Sequence, residues 1–86
     1  MRYVVSYDLN RPIQNYPQLT QALVALGAKR ILLSQWLVRT NTYNASTLCR
    51  HLWTFMDGND RLLVTGFDTT EAAWYNLMLD PNTIAA

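Results

Sequence analysis

Four short runs of β-branched and aromatic residues, separated by two stretches with helical periodicity, constrain this chain more than any other feature of its sequence. In the first run, residues 2–8, the large side chains Tyr3, Val5 and Tyr7 occupy alternate positions. A period of two is typical of a strand that buries one of its faces. We therefore expect a first strand whose inner face carries these three residues.

Two segments repeat apolar residues at the spacing of an α-helix. The apolar stripe of the first is made of Leu19, Ala22, Leu23 and Leu26. Gly27 follows it and is a typical helix C-terminal stop. The second segment, from Ala45 to Met56, follows Asn44, a residue type that often caps a helix N-terminus. The sequence thus predicts two amphipathic helices.

The remaining strand signals lie between and after these helices. The run from Lys29 to Thr40 is too long for one strand, and Ser34-Gln35 is its only polar break, so it predicts two strands that meet there. Residues 61–67 predict a fourth strand. Asp68 to Glu71 has the spacing of a capping box, which predicts a short third helix through about Leu79.

The resulting order, β, α, β, β, α, β, predicts an α+β domain of the ferredoxin-like type. We expect a four-stranded antiparallel sheet in the order 4132, with two helices on one face and a short C-terminal helix. The domain spans residues 1–86, with a core over 1–67 and a C-terminal helical extension over 68–86. Strand parity predicts which residues lie on the other side of the sheet, the helix-free face. They are Arg2, Val4, Ser6, Asp8, Arg30, Leu32, Leu37, Arg39, Arg61 and Leu63.

The antiparallel order also predicts which strand ends meet. Asp8 should lie near Ser34, Gln35 and the Arg61 end of the fourth strand. Arg2, Arg30 and Arg39 should gather at the opposite end of the sheet. One end of the sheet would then carry an acid, and the other would be basic.

Net charge and cysteine content limit which binding partners and which cellular compartment we expect. The net charge of +1 provides no general attraction for nucleic acid, so such binding would need a local patch. Cys49 is the lone cysteine, which excludes an internal disulfide and favours a cytoplasmic location. No apolar stretch approaches the roughly 20 residues of a membrane span.

Three segments of the chain resemble a known superfamily, that of the second CRISPR adaptation subunit. They are residues 3–8 (YVVSYD), 27–38 (GAKRILLSQWLV) and 59–64 (NDRLLV). The similarity covers about residues 1–67 and is greatest to relatives outside CRISPR loci, the SinR-like proteins and the virulence-associated protein D toxins. It implies a homodimer with a carboxylate at the end of strand one near its twin at the two-fold axis.

The resemblance assigns one site residue, Asp8. Some members are metal-dependent ribonucleases or deoxyribonucleases, and others are adaptors that hold DNA without cutting it. Many members follow the serine of strand three with a phenylalanine and a glutamate, whereas Trp36 and Leu37 stand in this region here. The terminal helix occupies the region that often exchanges a strand with the partner.

The role of Asp8 has two interpretations. One carboxylate from each subunit can hold a Mg²⁺ ion between them and so activate a phosphodiester or its attacking water. Asp8 can equally begin the turn into Leu9 and Asn10, as aspartate often does. Asn10 could add an amide oxygen to the metal, although a turn role is the simpler reading.

Four arginines could either contact nucleic acid or form surface ion pairs. The candidate phosphate ligands are Arg11, Arg30, Arg39 and Arg61. Each could instead pair with Asp57, Asp60 or Asp68, or be solvated. Ser6 and Ser34 could donate hydrogen bonds to a phosphate or simply be tolerated at an interface.

The remaining candidates for a functional role are aromatic residues, the one cysteine and the one histidine. Trp36 should be buried beneath the helices, whereas Trp53, Trp74 and Tyr75 could anchor a protein partner. The terminal helix could alternatively cover a sheet edge. Cys49 falls on the apolar side of helix two and reads as a core residue, and His51 falls on its outer side with no second metal ligand at suitable spacing.

Two hypotheses follow for the function. The first is a metal-dependent endonuclease dimer, acting on RNA or DNA, with paired Asp8 residues at its axis. The second is a non-catalytic dimer that binds protein or nucleic acid, as an adaptor or as an inhibitor encoded by a phage or mobile element. The near-neutral charge, the missing acid after Trp36 and the aromatic tail favour the second hypothesis, whereas the resemblance favours a nuclease-like scaffold.

Overall fold

The computed structural model describes residues 1–10 and 16–83. Its four strands are β1 (Arg2–Asp8), β2 (Lys29–Leu32), β3 (Gln35–Arg39) and β4 (Arg61–Gly66). They form one antiparallel sheet in the spatial order β2-β3-β1-β4. Helices α1 (Pro17–Ala25) and α2 (Ala45–Trp53) pack against one face of it. This arrangement confirms the predicted α+β class, strand order and ferredoxin-like topology. No helix in these described ranges is long and apolar enough to cross a membrane.

Strand β1 turns the predicted face toward the helices. Tyr3 and Val5 are buried against the helices, and Tyr7 packs at the edge of the same cluster. Trp36 is also buried there, and its indole N–H donates a 2.9 Å hydrogen bond to the Tyr7 hydroxyl. This bond satisfies the one polar atom of a buried indole.

Helix α1 begins at Pro17 and ends just before Gly27, the stop that the sequence predicts. Pro17 occupies the first turn, where its missing N–H leaves no hydrogen bond unmade. Gly27 adopts a positive φ of 76°, which only glycine accepts without steric cost. The chain then reverses, and the Ala28 N–H donates to the Leu23 carbonyl at 3.0 Å.

Helix α2 starts at the predicted cap but ends three residues earlier than predicted. The Asn44 side chain accepts from the Thr47 N–H, and the Thr47 hydroxyl accepts from the Asn44 N–H, both at 2.9 Å. At the other end, the Thr54 hydroxyl donates to the His51 carbonyl at 2.7 Å. This side-chain bond competes with the helical ladder, and the chain continues to Met56 in tighter turns.

Strand β2 contains a register irregularity that overturns one predicted position. Arg30 pairs with Trp36 across the ladder, and the register shifts between Arg30 and Leu32. Directly opposed residues share a face, so Arg30 lies on the helix-covered side with Trp36, not on the helix-free face. Its guanidinium carbon stands 4.7 Å from the centre of the Trp36 ring. Along the strand direction Arg30 is level with Trp36 and Val5, away from the end of the sheet that carries Arg2.

The predicted third helix over residues 70–79 is wrong. The Asp68 cap opens only a single 3-10 turn, Thr69–Glu71, and Ala72 is already extended. Residues 68–83 are here named the C-terminal strap. A second 3-10 turn, Pro81–Thr83, is the only other helical piece of this strap. So short a helix has little stability of its own in water. Burial against the sheet therefore decides the conformation of this segment.

The strap covers part of the helix-free face, which was expected to lie open. Leu37 and Ile31 are 0% and 4% exposed, yet neither belongs to the core beneath the helices. Trp74 and its strap neighbours line a groove with Ile31, and the Met78 N–H donates to the Ile31 carbonyl at 3.1 Å. The strap thus lies over the β2–β3 half of the sheet. The β1–β4 half remains uncovered, and Leu63 there is 60% exposed.

Candidate nucleic-acid and metal site

Asp8 ends the central strand β1 on the uncovered half of the helix-free face. It pairs with Arg61 of β4, and Ser6, two residues earlier, pairs with Gln35 of β3. The Tyr7 N–H donates to the Ser34 carbonyl at 3.1 Å. The predicted meeting of Asp8 with Ser34, Gln35 and the start of β4 is therefore confirmed.

The space around Asp8 is a shallow depression rather than an enclosed pocket. Ser6, Asp8, Arg61 and Leu63 line a hollow of about 210 Å³ on the helix-free face. A second hollow of about 250 Å³ continues past Asp8 to Asn10 and the β4 entry loop. A ligand reaching Asp8 can therefore extend over the end of the sheet.

An exposed ion pair joins Arg61 to Asp8. Arg61 Nη1 lies 3.7 Å from Asp8 Oδ2, and the two side chains are 83% and 77% exposed. At this separation in water the attraction is weak. The carboxylate and the guanidinium therefore stay accessible to a cation and an anion respectively.

Each chain contributes few metal ligands. Within residues 1–10 and 16–83, no three histidine, cysteine, aspartate or glutamate side chains come together as a possible metal site. Asp8 is accompanied by Asn10 and Asn59 in the same hollow, and these carry neutral amide oxygens. A divalent cation at Asp8 would thus need a second carboxylate or a phosphate from outside the chain.

Asp60, which the sequence predicts only as an arginine partner, is a carboxylate that accepts hydrogen bonds from two loops. Its Oδ1 accepts from the Asn10 N–H at 2.6 Å and from the Tyr16 hydroxyl at 3.1 Å. Its Oδ2 accepts from the Asp57 N–H at 2.7 Å. Asp60 therefore joins the loop after β1 to the loop before β4 and holds the backbone of the hollow beside Asp8 in place. The turn-forming run Asp57 to Asp60 was the one sequence signal for it.

The four candidate phosphate ligands do not form one cluster. Arg61 lies beside Asp8, whereas Arg39 lies at the opposite end of the sheet, directly across from Arg2. Arg30 lies on the helix-covered side with Trp36. Arg11 falls outside the described residues. The predicted basic end is thus present as Arg2 and Arg39 without Arg30.

The residues proposed as a single aromatic surface are separated by the sheet. Trp53 lies on α2 and is 53% exposed, whereas Trp74 and Tyr75 lie on the strap at the helix-free face. His51 is half-buried rather than solvent-facing, since its ring stacks on Tyr43 at 5.2 Å and meets the Phe55 edge at 5.5 Å. Cys49 is a half-buried free thiol, in keeping with a packing role.

No protein-family model matches the chain, and no solved structure matches it significantly. The function must therefore be argued from the geometry around Asp8 and from the sequence resemblance.

Proposed function

We propose that the chain is a homodimeric nuclease-like protein that acts on RNA or DNA, with Asp8 of each copy holding one Mg²⁺ ion at the dimer axis. The observation that carries the proposal is the exposed Asp8 carboxylate beside Arg61 on the uncovered half of the helix-free face. The resemblance to the superfamily of the second CRISPR adaptation subunit supports the same arrangement. A cytoplasmic location, suggested by the free thiol of Cys49, belongs to this proposal.

The donor set fits such an ion only when two chains combine. Magnesium in proteins is held by one or two carboxylates, with waters and substrate phosphates completing its shell. Two Asp8 side chains supply that number, and one chain alone has no described acidic cluster. A bound Mg²⁺ would polarise the scissile phosphate or its attacking water.

Strand spacings define which dimer can bring the two Asp8 carboxylates together. If two β4 edges paired, the two β1 strands would lie three strand spacings apart, or about 14 Å. One ion cannot join carboxylates at that distance. Stacked sheets lie about 10 Å apart with their side chains between them. The proposal therefore requires face-to-face packing of the uncovered β1–β4 halves, around Ser6, Asp8 and Leu63.

Arg61 has a separate role in this proposal. Its guanidinium projects from the strand position directly opposite Asp8 and is mostly exposed. An arginine fork can donate two hydrogen bonds to phosphate oxygens. Arg61 would hold the phosphodiester next to the carboxylate pair, and the weak Asp8–Arg61 contact would give way to it.

A second candidate, a non-catalytic adaptor or inhibitor, is favoured by one specific observation. Many members of the superfamily follow the serine of strand three with a phenylalanine and a glutamate, whereas Trp36 and Leu37 stand in this region here, and Leu37 is fully buried. Leu37 cannot assist chemistry at Asp8. A dimer that binds nucleic acid or protein without cutting would have the same fold and the same surface.

Cleavage assays on short RNA and DNA substrates in Mg²⁺ or Mn²⁺ distinguish these candidates. The nuclease proposal predicts cleavage that stops in chelator and in Asp8→Asn. Asp57→Asn is the matched control, because it removes an exposed carboxylate from the same end of the sheet. Failure to cleave either nucleic acid with either metal would exclude the nuclease and leave the adaptor.

A further inference from the structure

The strap and the helix-free face enclose a groove of about 330 Å³, at the lower end of the range for ligand sites. Its walls include Val4, Leu32 and Gln35 from the sheet and Trp74 and Tyr75 from the strap. Gln35 lies opposite Ser6 in the ladder, two residues before Asp8. The groove therefore leads toward the Asp8 depression.

The two strap aromatic residues of the groove, Trp74 and Tyr75, are left exposed. Tyr75 is 91% exposed, although Trp74 beside it packs at 6.4 Å from the Phe67 ring. Trp74 is itself 37% exposed. Leaving a tyrosine ring in water gains nothing for folding, whereas an exposed flat ring can stack on a planar ligand.

Gln35 adds a polar group to this groove. Its side chain is half-buried, and within the described part of the chain its amide makes no hydrogen bond. A side-chain amide both donates and accepts, which matches the edge of a nucleobase. The groove thus combines an aromatic surface with one directional polar group.

Cations lie at the other end of the groove, near Phe67. Arg2 and Arg39 are directly opposed in the ladder, and Lys29 pairs with Leu37, two residues from Arg39. Like charges opposed across a ladder are unfavourable unless an anion lies between them. Asp68 approaches Arg2, but neither Arg39 nor Lys29 forms an ion pair among residues 1–10 and 16–83. A phosphate would relieve this repulsion.

We propose that this groove binds single-stranded nucleic acid. A base stacks on Tyr75 and Trp74 with its edge on the Gln35 amide, and backbone phosphates lie on Arg39 and Lys29. Positive charge interleaved with exposed aromatic rings is the usual design for single strands, because a duplex keeps its base faces stacked internally. The inference rests on the proposed function and deepens it by naming the strand that passes Gln35 toward Asp8.

Fluorescence anisotropy with labelled oligonucleotides of about 12 nucleotides, in chelator, tests the stacking step. We expect single strands to bind more tightly than the duplex of the same sequence. Tyr75→Ala should weaken binding by at least about fivefold, while Trp53→Ala, an exposed aromatic on α2, should not. Equal binding of duplex and single strand, or equal losses in the two variants, would overturn the proposal.

Salt dependence tests the phosphate contacts independently. Arg39→Gln should lower the slope of log affinity against log salt by about 0.7 for a single strand. Arg50→Gln is the matched control, since Arg50 is an exposed arginine on α2. An unchanged slope in Arg39→Gln, or no binding of any oligonucleotide by the unmodified protein, contradicts the site.

These measurements also separate the groove from the chemistry at Asp8. Binding in chelator needs no metal, so Asp8→Asn should retain it. If the unmodified protein binds single strands but never cleaves them, the groove stands and the nuclease proposal fails. If it cleaves while Tyr75→Ala and Arg39→Gln bind and cleave as before, the nuclease proposal stands and the groove fails.

Discussion

Asp8 and Arg61 face each other across the β1–β4 ladder, with 3.7 Å between the nearest charged atoms and most of both side chains in water. An ion pair with this geometry and exposure contributes little to folding, because solvent screens it and both side chains, the long arginine above all, must be ordered. The pairing therefore has no strong structural purpose. This leaves both groups available for binding.

Removing Arg61 should consequently leave the fold intact. We expect Arg61→Ala to change the free energy of unfolding by less than about 0.5 kcal/mol, measured by urea denaturation. The same variant should weaken binding of nucleic acid near Asp8 in an affinity assay. A loss of several kcal/mol in stability would show that Arg61 is a structural residue.

The dimer geometry can be tested by crosslinking at Asp8. In a Cys49→Ser background, a short bifunctional thiol reagent should crosslink Asp8→Cys between two copies, because face-to-face sheets lie about 10 Å apart with their side chains pointing toward each other. A direct disulfide is not expected, since it needs Cα atoms within about 7 Å. Pairing through the β4 edges would leave them about 14 Å apart and uncrosslinked. Leu33→Cys, at an 81% exposed turn residue, is the control for random collision.

Local sequence signals were sufficient wherever a short-range pattern also decides the structure. The alternation of Tyr3, Val5 and Tyr7 predicted which face of β1 meets the helices, and Gly27 and Asn44 predicted helix ends. Once the strand order followed from these elements, the meeting of Asp8 with Arg61 followed from antiparallel pairing. This part of the site was therefore predictable.

Long-range burial decided the features that the sequence did not predict. The register shift after Arg30 depends on how β2 fits β3, and one displaced residue reverses strand parity. The capping pattern at Asp68 is real but satisfies only one turn, since the strap gains more by covering Leu37. Two of the Asp60 hydrogen bonds, from the Asn10 N–H and the Tyr16 hydroxyl, join residues more than 40 positions apart, and no local pattern encodes that.

Asp60 should be important for stability rather than for chemistry. Its carboxylate accepts hydrogen bonds from two loops, and Asp60→Ala would leave the Asn10 and Asp57 N–H groups without that acceptor. We expect a loss of about 1–3 kcal/mol in the free energy of unfolding, measured by urea denaturation. Asp60→Asn should lose less because the amide oxygen still accepts. Asp57→Asn, in the same turn, should be close to neutral.

The strap should add a small acid-sensitive contribution to stability through Asp68. Hydrogen bonds from the Thr70 N–H and hydroxyl, followed by the charge of Arg2, hold the pKa of this fully exposed carboxyl below its ordinary value of 3.8. A lowered pKa in the folded state gives stability that is present above the unfolded value and is lost as pH falls through the folded value. An NMR titration of Asp68 should report the lowered pKa. Asp68→Asn should remove this part of the acid sensitivity below about pH 4, and a midpoint at or above 3.8 would contradict the contact.

Leu37 tests whether the strap covers the sheet as the structure has it. Leu37→Ala should cost about 2–5 kcal/mol in the free energy of unfolding, because a fully buried leucine leaves a cavity. Leu63→Ala, on the uncovered half of the same face, should cost less than about 0.5 kcal/mol.

The decisive comparison repeats Leu37→Ala in a chain that ends at Phe67. Without the strap, Leu37 would be exposed on the helix-free face. Leu37→Ala should therefore cost far less free energy of unfolding in the shortened chain than in the full chain. If the cost is unchanged, something other than residues 68–83 buries Leu37. If the shortened chain does not fold, the contrast between Leu37→Ala and Leu63→Ala in the full chain still decides the point, because an uncovered face would make the two substitutions equivalent.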